Sequence, residues 1–452
     1  MLHLLVTISK YTIMIMFAIY TYDCFAVLRR GMSQWRRERM YKKQTTLIYL
    51  ILLNANAVLL CTTMDFRILI MSLAEMIFIA LTLLIYNKIY KGASLSVVNN
   101  MCMLLTISFI VLTRLNMNQA IRQFGLACVA LVITCLIPLF ISKLKFLSYL
   151  SFLYALIGIG GLGVVAIAGS TEYGAKLNIS LGPVTIQPSE FIKILFVFFV
   201  ASVLYEWEDL SELIYATAVA MLHVLLLIAS KDLGGAAIFL VTYLAMIYVA
   251  TKKPIILIGG LGLGAIGSFL AYKLFTHVQN RVIAWLDPLS VIDNQGYQVS
   301  QSLFAIGTGG WFGSGLGQGM PDKIPVVTKD FVFAAISEEM GGVVALCLIF
   351  VCISCLLMFF NISMSVKDSF YKLVALGLGT VYGIQVFLTL GGVTKFIPST
   401  GVTLPLVSYG GSSLLSTMIL FAVIQGLYII RNDQESEVED GKTKRTKRNR
   451  SN

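Results

Sequence analysis

The chain has 452 residues, of which 58% are hydrophobic and only 13% charged, and its mean hydropathy is +0.84. A composition this apolar excludes a single water-soluble core, and apolar runs of about 20 residues recur along the chain, each long enough to cross a bilayer as a helix. The net charge of +11 sits mostly in alternate loops and in the tail, so it reports membrane topology and requires no nucleic-acid partner.

Thirteen spans are predicted in chain order, at roughly 3–28, 45–63, 69–90, 97–115, 125–142, 147–168, 189–206, 211–230, 235–251, 254–274, 331–360, 369–391 and 411–430. Backbone in hydrocarbon must satisfy its own hydrogen bonds, and these runs far exceed barrel strands, so the expected class is an all-α, polytopic helical membrane protein. Arg29, Arg30, Arg36, Arg37, Arg39, Lys42 and Lys43 crowd the first loop, and Lys88/Lys91, Lys143/Lys145, Lys252/Lys253 and Lys367/Lys372 mark alternate later ones. That side is expected to be cytoplasmic, which puts the N-terminus outside and the C-terminus inside the plasma membrane. The N-terminal run carries its charge after the apolar stretch and has no small-residue cleavage site, the pattern of an uncleaved anchor. Residues 431–452, acidic from Asp433 to Asp440 and basic from Lys442 to Arg450, read as a disordered cytoplasmic tail whose basic end meets anionic membrane lipids.

All eight cysteines fall in predicted spans; Cys352 and Cys355 form a C-x-x-C inside an oily run and read as small buried hydrophobes. His3, His223 and His277 are too scattered in sequence to suggest a His-based metal site.

The external side carries the polar segments. The longest loop, 276–329, lies there, and long loops in compact proteins usually have a function. Its alternating glycines, Gly313, Gly315, Gly317 and Gly319, do not fit a nucleotide loop and read as a turn at the membrane surface. A second segment is "GPVTIQPSEFIKI", in which Pro188 and Ser189 open a span and Glu190 and Lys193 share one helical face. "SKDLGGA" brings Lys231 and Asp232 to a hairpin. In 391–413, "GGVTKFIPSTGVTLPLVSYGGSS", the prolines and glycines predict irregular backbone dipping toward the membrane, which is tolerated only around a protein or water-filled cavity. A shared external cavity is the economical inference. Asp330 is expected at its wall, in the first turn of a helix whose positive end favours the carboxylate. Glu338 and Glu339 fall about 12 Å deeper at 1.5 Å per residue. Carboxylates at such depth mark either a function or a buried ion pair with a lysine or arginine of another span.

These segments resemble the SEDS family of bacterial cell-wall proteins, the FtsW/RodA type of peptidoglycan glycosyltransferase. The resemblance rests on "RLNMNQAIRQ" (114–123), "QPSEFIK" (187–193), "DLGGA" (232–236), "GYQVSQSLFAIGTGGWFGSGLGQG" (296–319), "DFVFAAISEEMGG" (330–342) and "PSTGVTLPLVSYGGSS" (398–413), in that order. It implies a ten-span core over 97–430 that polymerises lipid II into glycan strands at the outer face of the plasma membrane, in cell division or elongation. It also implies work beside a class B penicillin-binding protein, the transpeptidase. Asp330 falls on the family's catalytic aspartate, Glu190 and Lys193 on cavity residues, and Ser408 to Ser412 on the terminal signature. Three features depart from the pattern: the three additional spans in 1–96, with an unexplained Glu75; Lys231, where the family commonly has proline; and "GAKLNIS", which lacks a tryptophan often found there. Since 1–96 carries none of the motifs, active-site geometry is expected to be independent of those spans.

The implied reaction asks a sugar hydroxyl to displace a pyrophosphate-linked lipid. Asp330 is the candidate base. Arg114, Arg122, Lys193, Lys231, Arg281, Lys329 and Lys395 are candidate cations for the leaving pyrophosphate, and the chemistry leaves room for a divalent cation, Mg2+ or Mn2+. Asp232, Gln298, Ser408, Ser412, Glu190, Glu338 and Glu339 complete the candidate substrate-binding set. The rival readings are a flippase or transporter of lipid-linked precursor, since charges in a many-span protein also mark transport paths, and a non-catalytic scaffold of the cell-wall machinery.

Overall fold

The structure, a computed structural model, describes residues 2–450 except 30, 91, 173, 174 and 183, and the side chains of these except 145, 172, 181, 184 and 435–450. The helices in chain order are α1 (Leu2–Ala26), α2 (Gln34–Thr63), α3 (Arg67–Lys88), α4 (Leu95–Leu115), α5 (Met117–Thr134), α6 (Ile137–Lys143), α7 (Ser151–Ala168), α8 (Pro188–Leu204), α9 (Leu210–Ala229), α10 (Leu233–Thr251), α11 (Pro254–Leu274), α12 (Thr276–Leu286), α13 (Tyr297–Gly309), α14 (Val332–Met340), α15 (Gly342–Ser365), α16 (Ser369–Val393) and α17 (Gly411–Arg450). Among the described residues, twelve stretches are long and apolar enough to cross a membrane, with α5 and α6 forming one of them. The 17-residue α8, a little shorter, matches the remaining predicted span. The protein is a polytopic helical membrane protein.

Helix ends follow local chemistry. Asn116 caps α5 by accepting the Gln119 amide at 3.1 Å. Asp368 caps α16 by accepting from Phe370 and Tyr371, and proline opens α8 and α11 where no donor is needed. The core runs along α4, in which 94% of the spanning window is buried, whereas α11 has only 6% buried and lies on the flank. The N-terminal helices are not a separate module: α1 packs on α2 and α15, and α2 on α4. Buried hydrogen bonds cross these contacts, from Tyr20 to Asn100 at 2.9 Å, from Asn100 to Ser354 at 3.2 Å, and between Asn99 and Gln44 at 3.1 Å. Glu75 is buried on α3 and accepts from Asn56 of α2 at 3.1 Å.

Two expectations are corrected here. The span predicted at 331–360 is two helices, because Gly341 at φ 91° breaks the run between α14 and α15. The long loop 276–329 holds α12 and α13 as helices. The segment holding "GAKLNIS" forms a small antiparallel sheet, β1 (Ser170–Glu172), β2 (Ala175–Leu181) and β3 (Val184–Ile186), in the order β1-β2-β3. Beyond the last span, α17 runs on to Arg450.

Candidate active site

A cavity of about 370 Å³ opens among α8, α10, α12, the start of α13, the turn before α14 and the segment 399–403. Its walls carry Glu190, Lys193, Lys231, Asp232, Arg281, Gln298, Lys329 and Asp330. The structure thus brings together eight candidate residues from five separate stretches of sequence. Ile238, Phe239, Val299 and Val402 supply an apolar side.

Asp330 lies just outside α14, with Phe331 in the N-cap position, so it is not in a first helical turn as expected. Two hydrogen bonds from the terminal signature fix the backbone before it. The Tyr409 amide donates to Thr328 O at 2.7 Å, and the Ser408 hydroxyl to Lys329 O at 2.5 Å. Ser408 and its neighbour are in turn held by Gln123 of α5, which donates to Ser408 O at 3.1 Å.

Across the cavity, the Arg281 guanidinium donates to Ser399 O at 3.3 Å. Gly401, with φ +76°, shows how closely the charged groups converge: a methyl carbon there would sit 3.3 Å from an Arg281 nitrogen and 3.6 Å from Asp330 Oδ2. Any L-residue at this position would meet both backbone strain and crowding. Burial pulls the Arg281 guanidinium below its ordinary pKa, and the neighbouring Asp330 and Asp232 carboxylates oppose that shift. Burial raises Asp232, opposed first by the Gly235 amide it accepts at 2.8 Å as the cap of α10. His277, which also lines the cavity, is held below its ordinary value by burial, then by Arg281 and Lys231.

At the floor, Lys193 is buried and donates to Glu190 at 2.5 Å and Gln385 at 2.8 Å. Ser416 donates to the same Glu190 oxygen at 2.9 Å, and Gln385 donates to Thr403 O at 3.1 Å. The floor is therefore a hydrogen-bonded network linking α8, α16, α17 and the irregular segment before α17. Gln385, like Asn280 and Thr403, is not singled out by the sequence reading, which names His277 only to set a metal site aside. A polar residue midway along the apolar run of α16 was the available signal.

Seven candidates do not line the cavity, Arg122 among them, and the other six are engaged elsewhere in the structure. Glu339 pairs with Arg114 at 3.0 Å and accepts from the Gly317 and Gly319 amides. Glu338 accepts the Met320 amide at 2.8 Å. Both carboxylates thus anchor the glycine loop rather than facing the cavity. Ser408 clamps the strand of backbone before Asp330, as above. Ser412 accepts the Gln187 amide at 3.0 Å, fixing the start of α8. Lys395 turns its carbonyl to Trp285 Nε1 at 3.1 Å. Among the described residues, no three of His, Cys, Asp or Glu come together to hold a metal ion.

Chemically, the cavity offers a carboxylate beside an arginine, further lysines on the walls, and an apolar flank, at the end of the bundle where the 276–329 segment lies. Comparisons with known proteins agree with that picture. Residues 93–432 match the FtsW/RodA/SpoVE family model, described as cell cycle protein. The chain is similar to the peptidoglycan glycosyltransferase RodA of Mycobacterium tuberculosis, with 37% identity over 321 residues, covering 66% of this chain and 67% of that protein. It is also similar to a probable peptidoglycan glycosyltransferase FtsW of Allochromatium vinosum, with 34% identity over 286 residues, 60% of this chain and 70% of that protein. Among solved structures, a chain of a peptidoglycan synthase complex that coordinates polymerization and crosslinking superposes with TM-score 0.63 and 25% identity, over 75% of this chain and 98% of that one. The rod shape determining protein RodA of Thermus thermophilus does so with TM-score 0.57 and 22% identity, over 75% and 97%, a likeness of fold. With the family match extending over well more than half of its length, the chain belongs to the FtsW/RodA/SpoVE family of cell cycle proteins.

Proposed function

We propose that this protein is a peptidoglycan glycosyltransferase that polymerises lipid II into glycan strands during cell-wall synthesis. The observation that carries the reading is the convergence of Asp330 and Arg281 on Gly401 in a cavity lined by further charged side chains. The named activity of the relatives supports it.

In this reading Asp330 accepts the proton of the attacking sugar hydroxyl, a contribution of roughly 10² to 10⁴-fold for a well-placed general base. Arg281, with Lys231 and Lys329 lining the same cavity, meets the negative charge that grows on the departing pyrophosphate, where fixed cations in a water-poor site are most effective. Lys193 is already engaged by Glu190 and Gln385, so its part is to hold the floor rigid. The lipid tails leave sideways between helices, and the apolar flank at Ile238 and Phe239 suits that path.

The orientation that follows places the N-terminus and the 276–329 segment outside and the C-terminus in the cytoplasm, so that the cavity opens to the external face of the bacterial plasma membrane. The partner proposed is a class B penicillin-binding protein, on the strength of the similar chain solved in a synthase complex. The test is incubation of the purified protein with labelled lipid II. Formation of long glycan products supports the reading, and lipid movement across vesicles without any polymer contradicts it.

A further inference from the structure

The three N-terminal helices lie outside the family match, which begins at residue 93, yet α1 reaches the glycine loop of the family core. Lys10 of α1 donates from Nζ to Gly313 O at 3.0 Å. One turn away, Val6 lies against Gly315, where an added methyl carbon would come within 2.7 Å of its side chain. Tyr11 packs on Phe312 with ring centroids 5.9 Å apart. From α2, Thr62 lies 3.6 Å from where a methyl carbon on Gly317 would sit. Gly313, Gly315 and Gly317 all have positive φ, at 76°, 108° and 79°, so the loop has little side-chain bulk of its own to hold this shape.

That loop is the mould for the far end of α14. The Ser314 and Gly315 amides donate to Glu338 O and Glu339 O, both at 2.9 Å. The Gly317 and Gly319 amides and the Met320 amide close on the two carboxylates. α14 has only nine residues, and the residue ahead of its N-cap is Asp330. α14 has so few turns that a shift of its C-terminal end can reach the carboxylate ahead of its start, against the hold of Ser408 and Tyr409 on residues 328 and 329.

We propose that α1 is a built-in positioning element of the active site and that Lys10 is its positioning residue, acting through the 313–319 loop and α14 on the placement of Asp330. A single charged donor suits the task, because a hydrogen bond from an ammonium is stronger than a neutral one and the loop carbonyl has no helix partner to replace it. The inference rests on the polymerase reading above. It concerns the rate of the chemical step, since Lys10 is remote from the cavity lining and touches no substrate.

The experiment uses the full chain in detergent or nanodiscs and compares wild type, Lys10→Met and Lys10→Arg in lipid II polymerisation, with hydrogen exchange followed over 313–319 and 332–340. The expected result for Lys10→Met is a kcat lower by about tenfold with KM unchanged, within the ~10²-fold that a displacement of about 1 Å can cost. Faster exchange confined to the loop and α14 should accompany it, and Lys10→Arg should restore both. An unchanged kcat per folded molecule in Lys10→Met, with or without lower thermal stability, overturns the proposal. So does a change in KM alone. Should Lys10→Met fail to fold, Val6→Ala loosens the same contact without removing a charge and is read in the same way. An inactive wild type would fail the polymerase reading, whereas an active wild type with an unaffected Lys10→Met fails only this inference.

Discussion

Arg114 of α4 and Glu339 in the last turn of α14 meet at 3.0 Å, joining segments 225 residues apart in the chain. Glu339 is buried, and the Gly317 and Gly319 amides complete its hydrogen bonding. Removing one partner leaves the other charge poorly paired. Glu339→Gln and Arg114→Gln should each lower stability, by less than the roughly 3 to 5 kcal/mol of a fully buried pair, because the Arg114 side chain keeps 18% of its surface exposed. The double variant should lose clearly less than the sum of the two. Thermal unfolding of the four proteins is the check, and strict additivity would show that the pair is incidental.

The floor of the cavity gives a second prediction. Glu190→Gln leaves Lys193 buried, at 4% side-chain exposure, with only neutral acceptors, so the melting temperature should fall. Lys193→Met in the same protein removes the uncompensated charge and should recover part of the loss. A double variant less stable than Glu190→Gln would mean that the Lys193–Gln385 bond outweighs the charge imbalance.

Asp232 makes stability depend on pH. Its folded pKa is raised, chiefly by burial, so the folded state binds the proton more tightly than the unfolded chain does. Its contribution to stability is greatest below the ordinary aspartate value of about 3.9 and is lost as pH rises through the higher folded value. Asp232→Asn can keep the cap on Gly235 without titrating, and its stability should vary less with pH above about 4 than that of wild type. Thermal shift measured at a series of pH values distinguishes the two; parallel curves would contradict the assignment.

Topology is tested by cysteine substitution at exposed loop positions in a background without reactive native thiols. Ser290→Cys should react with an impermeant reagent in intact cells and Ser33→Cys should not. The reverse pattern would invert the orientation proposed above. Co-purification of the active protein with the class B penicillin-binding proteins of its host tests the partner, and an active preparation that binds none would count against an obligate complex.

Much of this was legible in the sequence, because membrane helices announce themselves by length and apolarity, and their loops by charge. The thirteen predicted spans have helical counterparts, and the residues from Glu190 to Asp330 that meet in the cavity were recognisable as charges where charges are costly. The remainder depended on pairing across the chain, which no local pattern encodes. Nothing near Glu339 says that its partner is Arg114. The serines Ser408 and Ser412 look like ligand contacts until their hydroxyls are seen to hold the backbone at Lys329 and Gln187. The contact of residues 1–96 with the glycine loop was hidden for the same reason: Lys10 stands alone in an apolar run, and only the fold brings it to Gly313. The break at Gly341 was hidden because the apolar run continues through it, and only the backbone dihedral shows it.

The central claim is that Asp330 supplies the base for glycan polymerisation. The measurement that tests it most directly is lipid II polymerisation by purified Asp330→Asn beside wild type, with both confirmed folded by thermal unfolding. Asparagine keeps the shape of the side chain and removes its basicity. Asp330 lies outside α14 on a cavity wall, so folding should survive the change. The account predicts a fall in rate of about 10²-fold or more with a melting temperature close to that of wild type. Near-normal polymerisation by the folded variant would contradict it.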